Sequence, residues 1–252
     1  MTELVLRENH HGAATLTLNR PRKHNALTKD MFEALEMHVD AIARETRTIG
    51  LVILRGAGGN FSAGYDMHEV LTYVRAHAKP HFNSEVIEKV SNLPQPVISA
   101  VQGHCSTGAL ELALAADLIV ASESARFSDA YARWGLTPIW GLSLRLPHRV
   151  GSAKASEMMF TCRSYSGLEA HAMHLANFCF PDEAFEAELA RLSADILANS
   201  WYANEVSKRA LIESDGLSLR DSHALELFKN EGLAPDAAAR IGRFFKGANP
   251  TK

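Results

Sequence analysis

Cysteine is scarce in this chain. Cys105, Cys162 and Cys179 are the 3 among 252 residues, irregularly spaced and without a CxxC pair, so neither a disulfide framework nor a zinc site is expected and a reducing cytoplasm suits the protein. Charge of one sign never runs on: 26 Lys and Arg stand against 29 Asp and Glu, for a formal charge of −3. That leaves no basic stripe for nucleic acid, and no nucleic-acid partner is expected. The most apolar stretch, residues 109–120, is too short for a membrane span and carries Glu111 and Asp117, so no membrane association is expected. The N-terminal residues lack the apolar centre of a signal peptide. The 12 histidines, His68, His104 and the pair His10/His11 among them, show no HxH or HExxH spacing, and no metal is expected. Low-complexity segments are absent.

What is present suits a large globular core: 46% of residues are hydrophobic. Residues 51–66 (LVILRGAGGNFSAGYD) and 97–117 (VISAVQGHCSTGALELALAAD) repeat one arrangement, an apolar strand, a glycine-bearing turn and a helix start. Glycine lets backbone approach a ligand where a side chain would block it, and the first-turn N–H groups of a helix have no intrahelical partner. Two such turns that converge would present one N–H each to a single oxyanion.

Alternating residues around a His-His-Gly turn open the chain as a hairpin. A polar, basic loop over 20–29 leads to a helix from about Lys29 to Ala43, capped by Thr28, with Met31, Leu35, Val39 and Ile42 near helical spacing. Strands are expected at 51–55, 97–101 and 118–122, a short helix at 84–93 ended by Pro94 and Pro96, a helix at 107–116, and turns over 125–141. Residues 67–81 are weakly patterned. The alternation of strand and helix points to an α/β class with parallel crossovers. From Asp182 the pattern becomes helical, at 183–198, 202–213, 219–230 and 235–246, which divides the chain into a core over 1–181 and a helical region over 182–252. The last helix sets Ile241, Phe244 and Phe245 on one side and needs a partner surface, the core or another subunit.

These motifs in combination resemble the crotonase (enoyl-CoA hydratase/isomerase) superfamily over nearly the full length. The residues that carry the resemblance are 18–27 (LNRPRKHNAL), 61–66 (FSAGYD), 100–117 (AVQGHCSTGALELALAAD), 126–151 and 172–180. The resemblance implies a spiral of repeated ββα units with a C-terminal helical trimerisation region. It implies a coenzyme A thioester as substrate, with no separate cofactor, and a homo-oligomer, trimer or hexamer. It sets the two oxyanion-binding N–H groups on Tyr65 and Gly108 and the coenzyme A contacts on Arg22, Lys23, Ala26, Ala63 and Asp66. The cations of Arg22 and Lys23 would suit phosphates, or be merely solvated; Ala63 would offer its carbonyl to the adenine.

Glu111 stands alone as a carboxylate between Pro94 and Ala116, in a helix apolar on every face. Burial of that kind raises a carboxyl's pKa toward the range used in general acid/base work, although a structural carboxylate tied to backbone or arginine would look the same. Its position matches one of the two catalytic glutamates of family hydratases. Where they carry the second, this chain has Tyr131, a hydrogen-bond or proton donor but a poor base at neutral pH, or else a pocket-lining aromatic. Asp129 would replace the lost carboxylate if its turn bends inward; otherwise it bonds its own backbone. Thr107 and Ala109 flank Gly108 where the family often has glycines, narrowing the approach. Trp134 and Trp140 shape the acyl pocket or pack beneath it. Three functions follow: an enoyl-CoA hydratase or isomerase working through an enolate; the same fold running C–C bond hydrolysis, decarboxylation or double-bond migration; or a non-catalytic acyl-CoA binder.

Overall fold

The computed structural model describes residues 3–76, 81–229 and 232–247. Strands β1 (Val5–His10) and β2 (Ala13–Leu18) form the opening antiparallel hairpin. Helix α1 (Lys29–Ile42) follows, with the Thr28 hydroxyl accepting from Met31 N and with Met31, Phe32, Leu35, Val39 and Ile42 buried on one face. Next come β3 (Leu51–Gly56), α2 (Met67–Ala76), α3 (His81–Ser91), β4 (Val97–Val101), β5 (His104–Ser106), α4 (Gly108–Ala113), β6 (Leu118–Ser122) and β7 (Arg126–Ser128). Helices α5 (Leu142–Val150) and α6 (Ser152–Thr161), strand β8 (Ser164–Ser166), helix α7 (Gly167–Ala172) and strand β9 (Phe178–Phe180) complete the mixed part. Among the described residues four helices follow: α8 (Phe185–Ala198), α9 (Trp201–Ser214), α10 (Leu219–Lys229) and α11 (Ala237–Gly247).

Two sheets result. The larger runs β1-β2-β3-β4-β6-β9, parallel from β2 onward; the smaller runs β5-β7-β8. Strand alternation divides the core between the two faces of the larger sheet: Val52 and Leu54 join the cluster that includes α1 and α4, while Leu51 and Ile53 pack with Phe185 and Leu189 of α8. Helix α8 thus lies on the sheet itself. Trp201 of α9 sits beneath Gly12 and Gly50, where an added Cβ would meet its ring at 2.7 and 2.3 Å, and Lys208 reaches Asp117 Oδ2 at 2.8 Å. Helices α10 and α11 instead expose Leu219, Phe228, Phe244 and Phe245.

Several local expectations need correction. Residues 67–76 form a helix, begun by Asp66, whose carboxylate accepts from His68 N and whose carbonyl accepts from Val70 N. Met67, Val70, Leu71 and Val74 fall at i, i+3, i+4 and i+7, a helical spacing that the reading of 67–81 as weakly patterned passed over, and Met67 and Leu71 are exposed; residues 77–80 of the same stretch, and Asn230 at the end of the expected 219–230 helix, lie outside the described residues. The expected 107–116 helix is only α4: Thr107, with φ 50° and ψ −116°, excludes itself at the start, and at the end Ala115 N and Ala116 N bond three residues back, to Leu112 O and Ala113 O. The turn-rich 125–141 stretch contains β7, whose 3 residues are too few to show alternation. Trp134 is exposed and does not pack in the core, whereas Trp140 is buried there.

Candidate active site

The two glycine turns meet. Ser62 pairs with Cys105 in an isolated bridge, and Ser62 N donates to His104 O at 2.8 Å. Gly64 then passes so close to the second turn that a Cβ on it would lie 2.2 Å from Thr107 Oγ1 and 2.7 Å from Ser106 O, and its φ of +100° also requires glycine. Tyr65 pairs with Leu27 in a parallel bridge whose hydrogen bonds are Leu27 N to Gly64 O and Asp66 N to Leu27 O, both 2.8 Å. Neither uses the Tyr65 N–H. Gly108 opens α4, so its N–H is one of the first-turn donors the helix cannot satisfy. Thr107, in a strained left-handed backbone region, turns the chain into that helix, held by Thr107 N donating to Ser128 O at 2.9 Å.

Glu111, one turn along α4, is fully buried. Its Oε1 accepts from Trp140 N at 2.9 Å and Leu142 N at 3.1 Å; its Oε2 accepts from the Tyr131 hydroxyl at 2.5 Å. Burial raises the Glu111 pKa, the Tyr131 hydroxyl and the two N–H groups pull it back, and the nearby Asp129 carboxylate raises it further. Burial and the Glu111 charge push the Tyr131 hydroxyl up, so it stays protonated and donates. Asp129 is buried and raised by that burial, and its Oδ1 accepts from Tyr131 N at 2.9 Å. Asp129 therefore makes the local backbone bond, which holds Tyr131, and its burial turns the carboxylate inward near Glu111.

Residues read as coenzyme A contacts lie at one edge of this region. Arg22 and Lys23 occupy an exposed 3-10 turn, Pro21–Lys23, and Ala63 is exposed. The Ala26 carbonyl accepts from Arg20 Nη1 at 2.5 Å, and the same guanidinium lies 3.3 Å from Asp66 Oδ2. Asp66 thus spends its carboxylate on Arg20 and on His68 N, bracing the first turn. Arg20 gave no sequence signal, because an arginine in a basic loop looks like any solvated cation.

Sequence reasoning also missed the side-chain group around the first turn. Tyr65 donates its hydroxyl to Glu69 Oε2 at 2.5 Å and lies 3.3 Å from the Tyr73 hydroxyl. The Tyr65 ring meets Trp140 edge-on at 5.1 Å, and Phe32 meets Trp140 at 5.3 Å. Asn83 of α3 is buried as well. A signal existed for it: Asn83, Val86, Ile87 and Val90 fall at i, i+3, i+4 and i+7, placing an amide where the stripe calls for an apolar residue.

The fold defines the class before any sequence match does. It superposes on a solved enoyl-CoA hydratase of Bacillus anthracis with a TM-score of 0.88 at 28% identity, covering 97% of this chain and 96% of that one. The chain belongs to the enoyl-CoA hydratase/isomerase family, whose model matches residues 8–227, and so to the crotonase superfamily. Among curated relatives, a probable peroxisomal enoyl-CoA hydratase of Arabidopsis thaliana is 28% identical over 99% of this chain and 95% of its own length. A probable enoyl-CoA hydratase of Mycobacterium tuberculosis is 36% identical over 79% of this chain and 73% of its own. Among the described residues no helix is long and apolar enough to cross a membrane.

Proposed function

We propose that this protein acts on an acyl-CoA thioester through an enolate, as a hydratase/isomerase-type enzyme. The convergence of the Gly64–Tyr65 and Thr107–Gly108 turns one helical turn from buried Glu111 carries the reading. The Tyr65 and Gly108 N–H groups grip the thioester oxygen as negative charge develops on it. Glu111, ionised, takes the proton from the carbon next to the carbonyl; the electron pair moves into the carbonyl, and the enolate forms against the two donors. The Trp140 and Leu142 N–H groups fix Oε1, so proton traffic runs through Oε2, where Tyr131 donates.

That last contact favours a second reading within the same fold. Water addition by a pair of glutamates uses one carboxylate on each side of the reaction, and Tyr131, with its pKa raised, is no base. Double-bond migration needs one carboxylate to lift a proton and return it at another carbon of the same chain, which Glu111 alone can do. C–C bond hydrolysis and decarboxylation also use the oxyanion grip. Coenzyme A belongs to the substrate, its phosphates meeting Arg22 and Lys23 and its adenine the Ala63 carbonyl, beside Ala26 and the Arg20-braced Asp66. The exposed apolar residues of α10 and α11 support a trimer or a dimer of trimers. Three isolated thiols fit a cytoplasmic enzyme.

Screening the purified protein against acyl- and enoyl-CoA thioesters by turnover and calorimetry tests the reading. Binding of crotonyl-CoA, with hydration, isomerisation or cleavage of at least one thioester, is expected. Absence of binding at millimolar ligand overturns it.

A further inference from the structure

A single carboxylate oxygen ties the first glycine turn to two helices. Glu69 Oε2, in the first turn of α2, accepts from the Tyr65 hydroxyl at 2.5 Å and from Lys29 N at 2.9 Å. Lys29 is the first residue of α1, so its N–H has no partner within that helix, and a carboxylate suits the positive end of the helix dipole. Burial first, and then the Glu69 carboxylate, push the Tyr65 hydroxyl upward, so it stays protonated and donates. The Tyr65 ring packs edge-on against Trp140 at 5.1 Å, and the indole lies across Gly108, where an added Cβ would meet its Cζ3 at 2.4 Å. Trp140 N in turn donates to Glu111 Oε1 at 2.9 Å. Glu69 thus holds, through Tyr65, the ring that abuts both Gly108 and the residue that supports Glu111.

The geometry points to Glu69 as a positioning residue for the reaction: its carboxylate anchors the Tyr65 side chain between α1 and α2, and that side chain fixes the aim of the Tyr65 N–H. The inference rests on the acyl-thioester reading, which gives the Tyr65 and Gly108 N–H groups their oxyanion. Such a donor works only if it is aimed before charge develops, and a misplacement of about 1 Å can cost about 10²-fold in rate. The peptide that carries the Tyr65 N–H is held at its other end, where Gly64 O accepts from Leu27 N at 2.8 Å. A peptide held by one hydrogen bond still tilts about it. The Tyr65 side chain, packed at its ring and bonded at its hydroxyl, opposes that tilt. This role needs an oxygen acceptor at Oε2 and no charge, which separates Glu69 from Glu111, whose charge takes the proton.

The test follows the infrared carbonyl band of bound crotonyl-CoA, isotope-labelled at the thioester carbon, with kcat and KM on a thioester that wild type turns over and with thermal unfolding. The proteins are wild type, Glu69→Ala, Glu69→Gln, Tyr65→Phe and the double variant Glu69→Ala/Tyr65→Phe. In wild type the band is expected below its solution frequency, because the two N–H donors polarise the carbonyl. Glu69→Ala is expected to lower kcat by about tenfold to 10²-fold with KM little changed, and to return the band part of the way to its solution frequency. Glu69→Gln keeps the oxygen acceptor and is expected to retain most of kcat. Tyr65→Phe keeps the backbone N–H and should reproduce Glu69→Ala, and the double variant should be no worse than either, since all three remove the same link. A lowered unfolding temperature in Glu69→Ala with kcat and the band unchanged makes Glu69 structural only and overturns the inference. A loss in Glu69→Gln as deep as in Glu69→Ala gives the charge a role and overturns it too, as does additivity in the double variant. Tyr65→Phe with kcat and band unmoved overturns it even if Glu69→Ala fails to fold, and leaves the acyl-thioester reading standing. Failure of wild type to bind crotonyl-CoA overturns that reading, and this inference with it.

Discussion

The Tyr131 hydroxyl donates to Glu111 Oε2 at 2.5 Å across 20 residues of sequence, and both side chains sit in surroundings that raise their pKa values. Because a hydroxyl that donates to a carboxylate favours its charged form, Tyr131 tunes the group it touches.

Replacing Tyr131 with Phe removes the largest influence that lowers the Glu111 pKa. The Glu111 value then rises further, so the acid limb of the kcat/KM profile moves to higher pH, with the variant most impaired on the acid side. An unmoved limb, measured on whichever thioester is turned over, would separate Tyr131 from proton transfer and leave it lining the pocket.

Glu111→Gln keeps an oxygen for the Trp140 and Leu142 N–H groups but removes the base. Turnover is expected to fall about 10²-fold or more with thioester affinity retained. The sign of the stability effect follows from burial raising the folded-state value above the unfolded one: the Glu111 contribution is present below the unfolded pKa and is lost as pH rises through the folded pKa. Urea unfolding across that window should therefore slope less steeply with pH in the variant, and an unchanged slope refutes the assignment.

Gly64→Ala puts a methyl 2.2 Å from Thr107 Oγ1 at a φ of +100°. It is expected to cost about 1–3 kcal/mol of stability and to part the two turns, with a rate loss of about 10²–10³ from the misplaced donor. This is a cleaner probe than Gly108→Pro, whose ring would strike the Trp140 indole. Full activity in a folded Gly64→Ala variant would show that the turns need not touch.

Phe228, Phe244 and Phe245 remain well exposed on α10 and α11. Light scattering at micromolar concentration is expected to give a trimer or hexamer, and Phe228→Glu to weaken it. A monodisperse monomer contradicts the proposal.

Much of the fold was legible because its signals are local. Thr28 caps α1, apolar runs specify β3, β4 and β6, and one isolated carboxylate in an apolar helix singles out Glu111. Helix α2 carried a legible period, Met67, Val70, Leu71 and Val74 at i, i+3, i+4 and i+7, although Met67 and Leu71 are exposed in the fold, so the spacing marks the helix without marking burial. The family resemblance marked Tyr65 and Gly108 without saying where the Tyr65 ring goes.

By itself, the sequence determined which backbone segments are apolar enough to be buried, where glycine permits a close turn, and which carboxylate is sealed inside. Only the tertiary structure decided who meets whom: Trp140 N and Leu142 N reach Glu111 from 29 and 31 residues away, and Asp129 turns back to Tyr131 N. The physical reason is that burial follows from the residues along one segment, through hydrophobic spacing. Hydrogen-bond partners depend on chain reversals between segments, and a period of 2 or 3.6 residues carries no record of those reversals.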